Sequence, residues 1–215
     1  VNWAQDHIPA ILQGWYPGAQ GGMALAELLF GARCPGGRLP VTFYRSSEEL
    51  PDFADYSMEG RTYRYMKNQA LYPFGYGLSY TSFAYTEVRA VSGRQEAGAV
   101  KEAAVIVRED GITIGARVKN TGAMAGAETV QVYVKICREG TPNAQLKGIR
   151  KVFLSPGEEK EVSIHLPREA FGLYDGEGRF QVVPGMARVY VGGHGPDVRS
   201  EELTGQKVTE LVVRI

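Results

Sequence analysis

The residues best suited to chemistry lie close together between positions 52 and 64. Asp52, Asp55 and Glu59 place three carboxylates in a stretch with neither a helical nor a strand pattern, and irregular segments often carry functional groups. Paired carboxylates can act as general acid and base when their surroundings separate their pKa values. The simpler interpretation, which we favour, is that they are solvated loop charges or partners of Arg61 and Arg64.

Outside this stretch, the residues that could bind a metal or attack a substrate have no supporting pattern. His7, His165 and His194 are scattered, without the spacing of a metal site. Cys34 and Cys137 lie far apart, and we expect both to be unpaired thiols. The sequence therefore predicts neither a metal centre nor an organic cofactor.

Composition argues against two classes of partner. The 215 residues include 24 Lys and Arg and 24 Asp and Glu, with no block of either sign. A nucleic-acid binder or a polybasic membrane ligand would normally show an excess of positive charge. No apolar run approaches the length of a transmembrane helix. We expect a soluble chain with no nucleic-acid or membrane partner. Because Val1 is not a start methionine, the sequence does not decide between a cytoplasmic and a secreted protein.

The first 45 residues are predicted to be the end of an α/β layer. Apolar runs at 10–16 and 38–44 indicate strands, and the segment 23–30 indicates a helix that stops at Gly31. This helix is apolar on almost every side, so it must be covered on more than one face. Two strands and one helix are too few to bury their own apolar side chains. We therefore expect an α/β remnant, a partial sheet with one buried helix, whose other strands lie outside this chain.

From about residue 79 the sequence alternates apolar and polar residues in short runs separated by turns, which is typical of a β-sandwich. In the run 129–136 the valines are expected to face the core, with Gln131 and Tyr133 on the exposed face. Asp110-Gly111 joins two alternating runs and predicts a hairpin. An all-β sandwich of the fibronectin-III or immunoglobulin type is therefore expected to follow the α/β remnant.

These patterns divide the chain into three parts: residues 1–45 as the end of the α/β domain, 46–78 as an irregular linker, and 79–215 as the sandwich.

The segment 71–85 is dense in aromatic residues and is interrupted by Pro73 and by glycines. An aromatic ring buries much area with few torsions to freeze. We therefore interpret these rings as packing between the two domains, in preference to a stacking platform for a ligand.

Two long motifs, "PAILQGWYPGAQGGMALAELLFGARCPGGRLPVTF" and "GRTYRYMKNQALYPFGYGLSYTSFAY", resemble the C-terminal part of family 3 glycoside hydrolases, the β-glucosidase and β-xylosidase family. "QLKGIRKVFLSPGEEKEV" resembles the fibronectin-III-like module that closes many members. The resemblance implies a barrel, an α/β sandwich and this module in that order, with the barrel and the front of the sandwich outside this chain. The segment Ser92–Ala104 is expected to be a loop peculiar to this protein.

The resemblance implies hydrolysis of terminal, non-reducing β-linked sugars with retention through a glycosyl-enzyme intermediate. A β-glucosidase is expected, with a β-xylosidase as the alternative. The implied catalytic carboxylates lie on the barrel and in the earlier part of the sandwich, so we assign no catalytic residue in this chain. The implied partners are the N-terminal barrel domain and a β-linked oligosaccharide or glycoside.

Glu59, Arg61, Tyr63 and Arg64 remain as candidates for substrate binding or for support of the site. Arginines and tyrosines at this density can hydrogen-bond to sugars and stack on them, or can hold carboxylates of the barrel. Ordinary salt bridges between domains are the favoured alternative to direct sugar contact. A non-catalytic carbohydrate-binding or docking module is the other functional alternative, although a binding module has no use for a partial sheet.

Overall fold

The computed structural model describes residues 2–93 and 105–215. Positions 94–104 of the predicted loop lie outside the described residues. In chain order the helices are α1 (Asn2–His7), α2 (Gly21–Leu29), α3 (Thr62–Tyr65) and α4 (Val198–Thr204), with short 3-10 helices at Ser47–Glu49 and Arg168–Phe171. The strands are β1 (Phe83–Val91), β2 (Val105–Ile106), β3 (Ile112–Asn120), β4 (Gly126–Ile136), β5 (Gln145–Leu154), β6 (Glu159–Leu166), β7 (Leu173–Tyr174), β8 (Phe180–Gln181), β9 (Met186–Gly192) and β10 (Thr209–Arg214).

The strands form a sandwich of two sheets, which confirms the predicted all-β architecture. One sheet has the order β1-β3-β6 and the other the order β2-β10-β9-β4-β5, while β7 and β8 form a separate hairpin. The core between the sheets is built from alternate residues of each strand, as the period of two requires. Its members include Ile112, Ile114 and Val118 of β3, Val130, Val132 and Val134 of β4, and Val189 and Val191 of β9. In the part of the chain that the structure describes, no helix has the length and hydrophobicity needed to cross a membrane.

The hairpin predicted at Asp110-Gly111 is corrected by the strand pairing. A tight turn is present, in which the Gly111 N–H donates to the Arg108 carbonyl at 3.0 Å and Gly111 adopts a φ of +80°. The two runs nevertheless belong to different sheets, because β2 pairs in parallel with β10 whereas β3 pairs with β1 and β6. The turn residues fixed the local bend, and the sheet partners were decided by long-range packing.

The N-terminal part has the predicted helix but not the predicted strands. Residues 10–16 form no strand pair among the described residues, and 38–44 contribute only a single bridge, between Phe43 and Tyr72. α2 is present but has no fully buried residue, and Met23 and Leu29 are exposed. The strand predictions are therefore corrected, since a strand exists only beside a hydrogen-bonding neighbour.

The outer face of β4, where the alternation predicted exposed side chains, is covered by the main chain before β1, at Gly36 and Gly75, and by the loop after β9, at Gly193. Gln131 and Tyr133 are each only 1% exposed, which corrects that expectation. The Gln131 side-chain amide donates to the carbonyls of Gly75 and Gly193 at 2.9 and 2.8 Å, and its oxygen accepts from the Tyr133 hydroxyl at 2.7 Å. Thr129 adds a bond from its hydroxyl to the Gly36 carbonyl. The five-stranded sheet is thus buried on both faces along β4.

A buried ion pair joins two parts of the chain, the residues before β1 and the sandwich. Arg38 donates to Glu128 of β4 at 2.7 Å, with side-chain exposures of 9% and 4%. The second Glu128 oxygen accepts from the Tyr85 hydroxyl at 2.6 Å, and Arg38 also donates to the Gly193 carbonyl. Burial, together with the Glu128 charge, raises the pKa of Tyr85 well above its usual range, so this phenol stays a donor. Both charges are therefore compensated and hydrogen-bonded, as burial requires.

We predict that Glu128→Gln destabilises the chain by about 3 kcal/mol, because it leaves the Arg38 charge buried without a counter-charge. Urea unfolding measured by circular dichroism gives this difference. Glu161→Gln is the matched control, since its ion pair with Arg89 lies at the surface and should contribute less than about 1 kcal/mol. Equal losses for the two variants would show that the buried pair does not join the two parts.

Candidate functional site

The irregular segment from 52 to 61 is held together by its own side chains. The Arg61 guanidinium donates to three main-chain carbonyls, those of Asp52, Asp55 and Ser57, at 3.1, 2.6 and 3.0 Å. It forms no ion pair with a carboxylate in the described part of the chain. Arg61 is therefore the centre of this loop, and its charge stabilises the carbonyl ends of the turns around it.

The three carboxylates that suggested acid–base chemistry have local structural contacts. Asp52 accepts from the Ala54 N–H and Asp55 from the Ser57 N–H, each at 2.8 Å. The Ser57 N–H and hydroxyl lower the pKa of Asp55, so this carboxyl is ionised at neutral pH. Glu59 pairs with Lys67 at the surface. The described residues also contain no group of three His, Cys, Asp or Glu side chains placed to hold a metal ion.

Tyr63 and Arg64 point towards the sandwich, away from the loop. The Tyr63 ring stacks on Phe74 at 4.1 Å between centroids, and its hydroxyl accepts from the Leu146 N–H. Arg64 donates to the side-chain oxygen of Gln145 on β5 at 2.6 Å. The four predicted site residues therefore separate into two groups, with Glu59 and Arg61 at the loop and Tyr63 and Arg64 at the contact with β5.

A strained residue connects the two groups. Thr62 has a φ of +55°, and the nearby Gly60 has a φ of +70°. A β-branched residue in the left-handed region is unusual, and such strain is retained where surrounding contacts hold it. The Thr62 N–H donates to the Tyr44 hydroxyl at 2.7 Å. This contact fixes the sharp change of direction between the loop and α3.

The loop presents two aromatic side chains that the site prediction missed. Phe53 and Tyr56 are 96% and 91% exposed although the backbone around them is tied by Arg61. Exposed rings on an ordered loop are typical of a contact surface. The signal in the sequence was the placement of both rings among the carboxylates in "PDFADY".

A second exposed surface lies on the N-terminal part. It carries several large apolar side chains that are exposed, and such residues in number are typical of a contact surface. We call it the N-terminal apolar face, and its members are Trp3, Trp15, Tyr16, Met23, Leu29 and Phe30.

We predict that Arg61→Gln releases the loop without unfolding the sandwich. Losing hydrogen bonds from a charged donor to three carbonyls should raise amide exchange at Ala54 and Ser57 roughly tenfold or more. Hydrogen exchange followed by NMR measures these amides directly. Lys67→Gln, which removes only the exposed pair with Glu59, should leave both rates unchanged. Protection that survives in Arg61→Gln would show that the guanidinium does not order the loop.

Comparisons with known proteins identify two related domains along the chain. Residues 1–80 match the model of the glycosyl hydrolase family 3 C-terminal domain, and residues 128–195 match that of the fibronectin type III-like domain. A xylan 1,4-β-xylosidase of Xylanibacter ruminicola is 38% identical over 203 residues, covering 93% of this chain and 22% of the relative. A β-glucosidase of Bacteroides ovatus is 35% identical over 219 residues, covering 93% of this chain and 28% of the relative.

Solved structures show the same relationship. A β-glucosidase from Erythrobacter marinus superimposes with a TM-score of 0.74 at 34% identity, over 98% of this chain and 26% of that one. A family 3 β-glucosidase from Bifidobacterium adolescentis gives a TM-score of 0.74 at 29% identity, over 94% of this chain and 29% of that one. The chain thus spans about a quarter of the length of these relatives.

Proposed function

We propose that this chain, which belongs to glycoside hydrolase family 3, is the C-terminal part of an enzyme that hydrolyses terminal, non-reducing β-D-glycosidic bonds. The observation that carries the proposal is the match of nearly the whole chain to proteins named as β-glucosidases and β-xylosidases. We propose a β-glucosidase and keep a β-xylosidase as the alternative, because relatives of both names match over similar lengths.

In this proposal the catalytic carboxylates lie outside the chain. Glycoside hydrolysis requires two carboxyl groups on opposite sides of the scissile bond, one of them held protonated as the acid. Asp52 and Asp55 accept main-chain N–H groups, and Glu59 is paired with Lys67. All three side chains are exposed to solvent, whereas the acid of a glycosidase lies in an apolar pocket.

The contribution of the chain is one wall of the substrate cleft. The loop at 52–61 carries Phe53 and Tyr56 into solvent on a backbone that Arg61 holds in place. Rings carried on a backbone that is already ordered can lie against the apolar face of a sugar at reduced entropic cost. Glu59, Arg61, Tyr63 and Arg64 then act by positioning this loop on the sandwich, and direct contact with the sugar is left to the two rings.

The N-terminal apolar face packs against the rest of the enzyme in this proposal. Its large apolar side chains, including Leu29 and Phe30, are solvent-exposed here, and burying each one would contribute about 2 kcal/mol. The division into residues 1–45, 46–78 and 79–215 then has a functional meaning. The first part docks on the remaining domains, the second supplies the wall, and the third is the supporting module.

A chimera tests the proposal. The matching C-terminal segment of the Bacteroides ovatus β-glucosidase is replaced by this chain, and hydrolysis of 4-nitrophenyl β-glucoside and β-xyloside is measured. We expect the chain alone to show no turnover, the truncated relative to be inactive, and the chimera to be active. Turnover by the isolated chain that disappears on Asp52→Asn, Asp55→Asn or Glu59→Gln would overturn the assignment of the catalytic groups.

Within the active chimera, Phe53→Ala combined with Tyr56→Ala should raise KM roughly tenfold with little change in kcat, because stacking on a ring contributes on the order of 1 kcal/mol. Ile149→Ala, at an exposed position of β5, is the matched control and should leave KM unchanged. An unchanged KM in the double variant would mean that the loop does not border the substrate.

A further inference from the structure

A cleft of about 610 Å³ opens at one end of the sandwich, beside the β4–β5 connection and the β7–β8 hairpin. Its volume is in the range of small-molecule sites in proteins. The side chains that matter for its chemistry are Arg64, Lys147, Tyr174, Phe180, Glu139 and Asp175. The proposed function uses none of this surface for catalysis.

Besides the exposed Arg138, two cations line the cleft without a counter-charge. Within residues 2–93 and 105–215, neither Arg64 nor Lys147 forms an ion pair with a carboxylate. Burial lowers the pKa of Lys147, and the nearby Arg64 charge lowers it further. Arg64 donates one N–H to Gln145 and has further N–H groups available for a ligand. An anion between the two cations would relieve both the desolvation and the repulsion.

The acidic residues of the cleft do not fill this role. Asp175 accepts from the Glu177 and Arg179 N–H groups and from the side chains of Arg179 and Gln181. Its carboxylate therefore closes the turn of the hairpin. Glu139 is exposed and forms no ion pair in the described part of the chain. The site between the two cations is open to a negatively charged ligand.

An aromatic surface completes the cleft. Tyr174 is 73% exposed and meets Phe180 edge-on, with 5.2 Å between centroids. Phe180 packs against Gly172, where the ring occupies the place of a Cβ atom. The Phe180 ring therefore lies over the main chain just before β7, and most of Tyr174 stays exposed. A ring beside convergent polar groups is the usual form of a site for a small polar ligand.

We propose that this cleft binds an acidic saccharide, whose carboxylate lies between Arg64 and Lys147 and whose sugar ring lies on Tyr174. Arginine binds carboxylates through two parallel N–H groups, and lysine adds a point charge. The choice of a saccharide rests on the proposed function, whereas the choice of an anion rests on the cleft alone. The site would hold uronic-acid-bearing glycosides on the sandwich, apart from the loop at 52–61.

Calorimetric titration of the 215-residue chain at constant ionic strength tests the proposal with a matched pair of ligands. Cellobiouronic acid and cellobiose differ by one carboxylate in place of a hydroxymethyl group. We expect the acid to bind at least about tenfold more tightly, since a charge-assisted bond exceeds a neutral one by this amount or more. Equal affinities, or no binding of the acid at millimolar concentration, would overturn the proposal.

Variants locate the site. Lys147→Gln should remove the preference for the acid, Lys147→Arg should keep most of it, and Tyr174→Ala should weaken both ligands by a similar factor. Lys151→Gln, an exposed lysine of β5, is the matched control and should bind as the wild type does. A preference that survives Lys147→Gln would overturn the assignment.

The titration and the chimera assay fail independently, because the chimera assay uses neutral aryl glycosides. A failed titration leaves the proposed function standing, and an inactive chimera does not change what the titration shows about anion binding.

Discussion

The fit of the irregular segment 70–77 onto the outer face of β4 is the contact on which the rest of the structure depends. Gln131 is fully buried there and binds the carbonyls of Gly75 and Gly193. A side chain at Gly75 would collide with Gln131 and Tyr133, and one at Gly77 would collide with the Gly37 carbonyl. Gly75 therefore allows the main chain to approach two buried side chains of β4, and Gly77 allows it to approach the backbone at Gly37. Without this contact, the loop at 52–61 would have no fixed position on the sandwich.

Apolar and polar contacts contribute differently to this junction. Each buried ring contributes about 2 kcal/mol from area removed from water, and the rings at the junction include the stacked Tyr63 and Phe74 and the buried Tyr76. The Arg38–Glu128 pair contributes little net stability, because desolvation offsets the attraction between the charges. Its effect is on specificity, since any shifted docking would leave a buried charge unpaired. The rings therefore hold the two parts together, and the polar groups determine how they align.

The sequence predicted those features that depend on local pattern. The helix predicted at 23–30, which the structure places at Gly21–Leu29, the alternating strands of the sandwich and the packing of the aromatic segment follow from periodicity and residue type. The resemblance to family 3 glycoside hydrolases is confirmed. The strands at 10–16 and 38–44 were not found, because strand formation depends on a neighbour that no local pattern specifies.

Gln131 and Tyr133 were assigned to the exposed face because alternation separates polar from apolar faces. A polar face can also be buried if its hydrogen-bonding groups all have partners. The exposed rings Phe53 and Tyr56 could have been recognised from their position among carboxylates.

Unfolding followed by two probes tests most directly whether the junction joins the two parts. Trp3 and Trp15 are the two tryptophans of the chain and both lie in the N-terminal part, whereas the strands that dominate far-UV circular dichroism lie in the sandwich. If the junction holds the parts as one cooperative body, the fluorescence and circular dichroism transitions in urea coincide in midpoint and slope. A tryptophan transition that is complete at a urea concentration where the strands are still folded would contradict the account.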